Sequence, residues 1–150
     1  MKIAEIISFL ESTANPVLQE HYDNAGLITG DKEWECRGIL VCLDSIEEVI
    51  NEAIRKKCNL IIAHHPIIFT GLKKITGKNY VEKSIITAIK NDIAIYAIHT
   101  NLDNVQLLET REWLKRKFIY LKSFRNFSVL SLRKYSPSRY LLIKNDCYAT

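Results

Sequence analysis

Short apolar runs alternate along the first two thirds of the chain with segments whose apolar positions recur every three or four residues. The runs fall at residues 38–43, 59–63 and 93–98, and their length predicts buried strands. Helical spacing at residues 3–10, 46–54 and 81–89 predicts amphipathic helices. The order β-α-β-loop-α-β is typical of an α/β fold with a mostly parallel βαβαβ sheet, right-handed crossovers and flanking helices.

Local signals refine the two crossover helices. Ser45 and Glu48 predict a capping box at the start of the first, and Asn79 predicts an N-cap for the second. The positions expected to face the core are Ile46, Val49, Ile50, Ala53, Ile54, Val81, Ile85, Ala88 and Ile89. Residues 22–26 carry loop signals.

The predicted strands end in side chains that bind metals. His64 and His65 follow one run, and His99 follows the next, with Asp103 four residues further on. Because ligands gather at the carboxyl ends of parallel strands, we expect these side chains to meet at one edge of the sheet. Imidazole and carboxylate are ligands for Zn, Fe, Mn or Ni, so the pattern predicts a metal site.

The adjacent histidines need a geometric explanation. Successive residues in a regular strand point to opposite faces, so we expect the pair to share a site only where the strand has stopped. Pro66 has no N–H for strand pairing and predicts that stop. The alternative is one histidine packed in the core and one in solvent.

Composition indicates one globular domain with a substantial core. Of the 150 residues, 47% are hydrophobic and 25% charged, which is ordinary for a globular protein. No apolar run approaches the ~18 residues of a membrane span, and no signal-peptide pattern opens the chain, so we expect a cytoplasmic protein without membrane association. The four cysteines form no CxxC motif and are predicted to be reduced packing residues.

The composition changes near residue 105. Residues 1–105 hold 11 Lys and Arg against 14 Asp and Glu, a net charge of −3, whereas residues 106–150 hold 10 against 3, a net charge of +7. All five glycines lie at or before Gly77. We therefore predict an α/β domain at 1–105 that carries the metal site, and an atypical basic tail at 106–150.

Three interpretations of the tail stand beside one another. It is an out-of-frame or truncated extension, or it is a genuine basic helix with Leu107, Leu114, Phe118 and Leu121 on one face. The third is a nucleic-acid contact, because basic residues alternate there with aromatic ones.

Three blocks of the sequence, YDNAGL at 22–27, IIAHHPIIF at 61–69 and AIYAIHTNLD at 94–103, resemble the GTP cyclohydrolase 1 type 2 homologue family, also called NIF-three-like. The resemblance covers roughly residues 1–105. It implies the N-terminal half of an α/β fold with two similar halves, a ring-shaped homohexamer and two divalent metal ions in each subunit.

The resemblance also implies site residues. His64, His65 and Asp103 match the family's N-terminal metal ligands. The family's remaining ligands belong to an HxxxE helical motif near the C-terminus of full-length members, and this chain has no histidine after His99.

The neighbouring polar residues have two interpretations each. Asp103 bridges two metals or is a helix N-cap, and His99 orients a ligand or packs in the core. Asp23 and Asn24 lie at the pocket rim, in contact with substrate or a metal-bound water, or form an Asx turn before Gly26. We expect Asp44 to be a cap or rim residue.

Three functions fit these observations. The first is a metal-dependent hydrolase of a phosphate-bearing or nucleotide-like small molecule. The second is a metal-binding scaffold or interaction protein without turnover, and the third is an inactive fragment that lacks the C-terminal ligands. The sequence identifies no catalytic residue and leaves open whether the chain is an enzyme.

Overall fold

A central sheet with helices on both faces organises the molecule. The computed structural model describes residues 1–105 in full, together with the backbone of two strands at 127–134 and 139–145. The helices are α1 (Ile3–Thr13), α2 (Glu47–Arg55), α3 (Tyr80–Lys90) and α4 (Thr100–Val105), with a 3₁₀ turn at Pro16–Leu18. The strands are β1 (Gly26–Thr29), β2 (Gly38–Asp44), β3 (Leu60–His65), β4 (Ala94–Ala97), β5 (Phe127–Lys134) and β6 (Arg139–Asn145).

The sheet has the strand order β1-β4-β3-β2-β6-β5. Strands β2, β3 and β4 are parallel neighbours joined by α2 and α3, which confirms the predicted βαβαβ unit. β1 pairs with β4 in the antiparallel sense. The sequence did not predict β1, since it has only four residues, carries no fully buried side chain and is irregular between Leu27 and Thr29.

Side chains of the strands alternate between two cores, one on each face of the sheet. Along β3, Leu60 and Ile62 join the core that α1 covers, whereas Ile61 and Ala63 join the core beneath α2 and α3. Both faces are therefore apolar, which explains why the strand sequence is a continuous hydrophobic run.

The helix predictions were correct in position and partly wrong in detail. Asn79 caps α3 as predicted, because its side chain accepts a hydrogen bond from the Glu82 N–H. The Ser45 capping box is wrong: Ile46 holds the N-cap position of α2, with no side-chain hydrogen bond. Ile54 and Ile89 lie near the ends of their helices and are exposed, not buried as predicted.

Gly30 is required where the chain leaves β1. Its φ is +96°, and a Cβ atom there would lie 2.6 Å from the Cα of Ala94. The glycine thus permits both the backbone turn and the close approach to the start of β4.

The sheet continues beyond the predicted domain boundary. The backbone of β6 pairs with β2 in the antiparallel sense, and β5 pairs with β6. The predicted basic helix and its interleaved aromatic residues at 107–125 lie outside the described residues, and the origin of the tail stays a prediction. Cys36, Cys42 and Cys58 are buried, whereas Cys147 lies outside the described residues.

No helix in the described part of the chain is both long enough and apolar enough to cross a membrane.

Candidate metal centre

Three histidines meet at the carboxyl edge of the parallel strands. His64 and His65 are the last two residues of β3, and His99 lies just beyond β4. One ring nitrogen from each lies within 4.8 Å of the others. The ring centroids are 4.8 Å apart for His64 and His65, 5.2 Å for His64 and His99, and 5.6 Å for His65 and His99. The predicted convergence at one sheet edge is therefore observed.

The geometric expectation for the adjacent histidines needs a correction. The strand does not stop before them, since β3 includes both. Each imidazole has a hydrogen bond to a neighbouring strand or its exit, and these contacts hold both rings at the edge of the sheet. The pair therefore shares a site because the rings are held there, even though the backbone is still extended.

His64 is the most enclosed donor on β3. Its Nδ1 lies 3.1 Å from the carbonyl oxygen of Ile98, and its Nε2 lies 3.8 Å from Oδ2 of Asp103. Burial lowers the pKa of His64, and the neighbouring histidines lower it further, although the Asp103 carboxylate opposes them. The ring is therefore neutral at pH 7, which is the form that coordinates a metal.

His65 pairs with a carboxylate that the strand register supplies. Asp44 ends β2 and lies opposite His65 in the parallel pairing. Oδ1 of Asp44 is 2.7 Å from Nδ1 of His65, and both side chains are about half exposed. Asp44 is thus the partner of a site histidine and not a helix cap. The sequence did not predict this pairing, because residue patterns do not fix the register between β2 and β3.

His99 is held by a buried carboxylate. Nδ1 of His99 lies 3.0 Å from Oδ1 of Asp23, whose side chain is 0% exposed. The other carboxylate oxygen accepts hydrogen bonds from the N–H and the hydroxyl of Thr100. Burial acts to raise the pKa of Asp23, but the hydrogen bonds from Thr100, His99 and the Asn24 N–H outweigh it and hold this pKa below its usual range.

Asp23 and Asn24, which the sequence placed either at a pocket rim or in an Asx turn, have different surroundings, because the Asp23 side chain is enclosed and Asn24 is exposed. The Asp23 carboxylate is enclosed and its oxygens face His99, Thr100 and the Asn24 N–H, because residues 20–23 fold against the start of α4. The Asn24 side chain donates to the carbonyl oxygen of Ile68 at 2.7 Å and so joins the loop before β1 to the loop after β3.

Asp103 lies beside the histidines but is more open. It is the fourth residue of α4, and its N–H donates to the His99 carbonyl, so the N-cap interpretation is wrong. Its side chain is 53% exposed. Asn101, which sequence reasoning passed over, is buried and fixes this segment: it accepts from the His99 N–H and donates to the Ala14 carbonyl. His21 is exposed.

Two exposed aromatic rings border the cluster. The Phe69 ring centroid is 6.1 Å from that of His99, and the Tyr22 centroid is 6.3 Å from that of Phe69. Both aromatic side chains are about half exposed. We call Tyr22 and Phe69 the aromatic ledge.

The donor set suits a borderline divalent ion. Two nitrogens bound to one tetrahedral Zn²⁺ at about 2.1 Å lie about 3.4 Å apart. The observed nitrogens, all within 4.8 Å of one another, would therefore need to approach by at most about 1.4 Å. Imidazole with carboxylate suits Zn, Fe, Ni and Mn more than Ca or Mg.

Fold and site together define an α/β protein with a candidate metal centre at the carboxyl edge of its sheet. The chain belongs to the Duf34/NIF3 (NGG1p interacting factor 3) family, whose family model matches residues 1–134. That match includes all the site residues described above and extends past residue 105.

Individual relatives agree with this assignment. The chain is 43% identical to a GTP cyclohydrolase 1 type 2 homolog of Clostridium acetobutylicum over 106 residues, which is 71% of this chain and 40% of the relative. A homolog of the same name from Staphylococcus aureus is 43% identical over 103 residues, or 69% of this chain and 28% of the relative. The chain thus spans well under half the length of these relatives.

A solved structure supports the fold. The crystal structure of a Bacillus cereus protein related to NIF3 superposes with a TM-score of 0.67 at 38% identity. The match covers 89% of this chain and 36% of that one.

Proposed function

We propose that this chain binds a divalent metal ion through His64, His65 and His99, with Asp103 as a further ligand. We propose further that the ion serves the hydrolysis of a phosphate-bearing or nucleotide-like small molecule. The observation that carries the proposal is the convergence of three ring nitrogens within 4.8 Å at the end of adjacent parallel strands.

Electrostatics support binding of a cation. Burial keeps the His64 ring neutral, so no proton has to leave it when a metal binds near pH 7. The carboxylates of Asp23, Asp44 and Asp103 lie around the three rings and offset the charge of an ion. A bound divalent ion supplies Lewis-acid activation of water and of a phosphoryl oxygen.

The surroundings of the cluster suit a ligand with a planar ring. The aromatic ledge of Tyr22 and Phe69 presents partly exposed ring faces next to His99. The Asn24 to Ile68 hydrogen bond holds the two loops that carry these rings together. Bases stack on such aromatic side chains for about 1–3 kcal/mol each. A nucleotide base on the ledge would place its phosphate within reach of the cluster.

Metal titration followed by an activity assay tests the proposal. The full chain is treated with chelator and titrated with Zn²⁺, Ni²⁺, Mn²⁺ and Fe²⁺, with the His64→Ala/His65→Ala double variant as the matched negative. Each metal-loaded form is then assayed for hydrolysis of bis(p-nitrophenyl) phosphate and of GTP.

The outcomes separate the competing functions. Binding by the parent chain, loss of binding in the double variant and metal-dependent turnover support the whole proposal. Binding without turnover reduces the function to that of a metal-binding scaffold. Equal binding by the parent chain and the double variant, or no binding by either, overturns it.

A further inference from the structure

Every histidine of the cluster uses the same ring nitrogen for a hydrogen bond within the protein. The acceptors come from three different parts of the chain: the loop before β1, the end of β2 and the exit of β4. The pairs are His64 Nδ1 with the Ile98 carbonyl at 3.1 Å, His65 Nδ1 with Asp44 Oδ1 at 2.7 Å, and His99 Nδ1 with Asp23 Oδ1 at 3.0 Å.

The acceptor chemistry decides where each proton lies. A backbone carbonyl only accepts hydrogen bonds, so Nδ1 of His64 must carry the proton. An ionised carboxylate also only accepts, so the same holds for His65 beside Asp44 and for His99 beside Asp23. In a neutral imidazole with a proton on Nδ1, the lone pair that binds metal is on Nε2.

We propose that Asp44 and Asp23 are positioning residues for the metal centre. Together with the Ile98 carbonyl they hold the proton on Nδ1 of all three histidines, so that each ring offers Nε2 to the metal. This inference rests on the proposed metal-binding function for its purpose, whereas the proton positions belong to the chain itself and can be measured without metal.

The two carboxylates have unequal surroundings. Asp23 is fully enclosed, and its two oxygens accept from His99, Asn24 and Thr100. Asp44 is 45% exposed and contacts His65 from the neighbouring strand. Water can partly replace Asp44 as the acceptor for His65, because Asp44 is exposed. Asp23 is enclosed, so it constrains His99 more strongly than Asp44 constrains His65.

Asparagine substitutions exploit this difference. In Asp23→Asn, one of the oxygens becomes an NH₂ group that faces donors from His99 or Thr100, so the hydrogen bonds conflict and His99 loses its fixed orientation. In Asp44→Asn, the amide oxygen can still accept from His65, but the charge is lost and the amide can rotate. The matched control is Asp92→Asn, since Asp92 is exposed, precedes β4 at the opposite edge, and has a φ of 51° that asparagine tolerates.

Nitrogen NMR of the metal-free chain measures the proton positions directly. Long-range ¹H–¹⁵N spectra distinguish a protonated Nδ1 from a protonated Nε2 in each ring. We expect the Nδ1–H form for His64, His65 and His99, while the exposed His21 shows the Nε2–H form that histidine favours in water. In Asp44→Asn, the His65 signals should shift toward the Nε2–H form. An Nε2–H form for His65 or His99 in the parent chain would overturn the inference.

Metal affinity and thermal unfolding complete the test. Loss of an orienting carboxylate costs about 10–100-fold in metal affinity, so we expect a drop of that size for Zn²⁺ in Asp44→Asn and a larger one in Asp23→Asn. Asp92→Asn should bind like the parent chain. Because Asp44 is half exposed, its variant should unfold near the parent temperature, so it remains informative even if Asp23→Asn fails to fold.

The two proposals fail in different ways. If the parent chain binds no Zn²⁺ but shows three Nδ1–H rings, the metal-binding function is overturned and the assignment of the protons is supported. If the chain binds Zn²⁺ while Asp44→Asn matches it in affinity and in His65 tautomer, the positioning role is overturned and metal binding stands.

Discussion

The two ends of the same parallel strands use polar side chains in opposite ways. At the amino edge, the buried Asn59 precedes β3, and its side chain accepts from the Arg37 N–H at 2.7 Å and donates to the Glu35 carbonyl at 2.9 Å. At the carboxyl edge, each histidine has its Nδ1 in a hydrogen bond within the protein, and Nε2 is the nitrogen that we propose for the metal. A polar side chain whose hydrogen bonds are all made within the protein stabilises the fold, whereas a side chain with one nitrogen outside such bonds can bind a ligand.

A concave surface and the cluster of potential metal ligands lie at opposite edges of the sheet. A cavity of about 360 Å³ lies at the amino edge, lined by Trp34, Glu35, Arg37, Asn59 and Asp92. Within the part of the chain that the structure describes, the only group of three or more potential metal ligands that converge is the histidine cluster at the other edge. The proposed metal site therefore rests on the convergence of donor side chains and not on concave volume.

The largest expected effect separates binding from folding at the carboxyl edge. We expect His65→Ala to weaken Zn²⁺ binding by more than about 100-fold, because losing a ligand exceeds the 10–100-fold cost of losing a ligand's partner. Stability should change by less than about 1 kcal/mol, since the His65–Asp44 pair is half exposed. Elemental analysis after dialysis, with denaturant unfolding alongside, measures both.

The exposed His21 supplies the control for that variant. His21→Ala should keep the metal content and stability of the parent chain. Equal metal content in the two variants would show that the cluster is not the binding site.

At the amino edge, we expect a substitution to lower stability and leave metal affinity unchanged. Asn59→Ala removes the partners of the Arg37 N–H and the Glu35 carbonyl, and an unsatisfied buried polar group costs about 1–3 kcal/mol. Metal affinity should stay within about twofold, because no ligand is touched. Urea unfolding and a Zn²⁺ titration test the two halves of this prediction.

Asn51→Ala provides the matched comparison for Asn59→Ala. Asn51 is exposed on α2, where alanine is the better helix former, so this variant should be neutral or slightly more stable. A loss of metal affinity in Asn59→Ala at unchanged stability would reverse the distinction between the two edges.

Acidification should affect the carboxyl edge selectively. The pKa of His64 is below its ordinary value of 6.5 because of burial and the neighbouring histidines. The unfolded chain therefore binds more protons than the folded chain just below pH 6.5. Hence the stability that the neutral ring contributes is fully present above pH 6.5 and falls as the pH is lowered below that value.

Titrating the metal-free chain by NMR checks the sign. We expect the His64 ring to protonate below the ordinary histidine pKa of 6.5. In Asp103→Asn it should protonate at a still lower pH, because Asp103 acts to raise the pKa of His64. With metal bound, release should begin once protons compete for the ring nitrogens. A His64 ring that protonates above pH 6.5 would contradict the prediction.

Much of the fold followed from the sequence because its strands are buried on both faces. Continuous apolar runs and helical spacing identified β2, β3, β4 and the crossover helices. β1 was not predicted, because its four partly exposed residues form no periodic hydrophobic pattern. Ile54 and Ile89 fit their helical patterns but are exposed, since periodicity identifies one face of a helix and not how much of that face is covered.

For the site, the sequence supplied the clustering but not the roles. The strand-end positions of His64, His65 and His99 were visible from their apolar runs. The pairing of Asp44 with His65 depends on the register between β2 and β3, which residue patterns do not fix. The pairing of Asp23 with His99 spans 76 residues, so no local spacing could indicate it.

The smallest expected effect concerns a polar group away from both edges. Ser84 lies on α3 with 0% exposure, and among the described residues its hydroxyl oxygen has no hydrogen-bond partner. If a buried polar group stabilises the fold only when its hydrogen bonds are made, the Ser84 hydroxyl contributes nothing to stability. Ser84→Ala should then raise the free energy of unfolding by about 0.5–2 kcal/mol, from better helix propensity and from removal of a buried unpaired group.

Ser8→Ala on the exposed face of α1 isolates the contribution of helix propensity, which is at most about 0.5 kcal/mol. Denaturant unfolding of both variants gives the difference. A Ser84→Ala variant less stable than the parent chain would mean that the hydroxyl has a partner, and Ser84 would then belong with Asn59 among the groups that hold the fold.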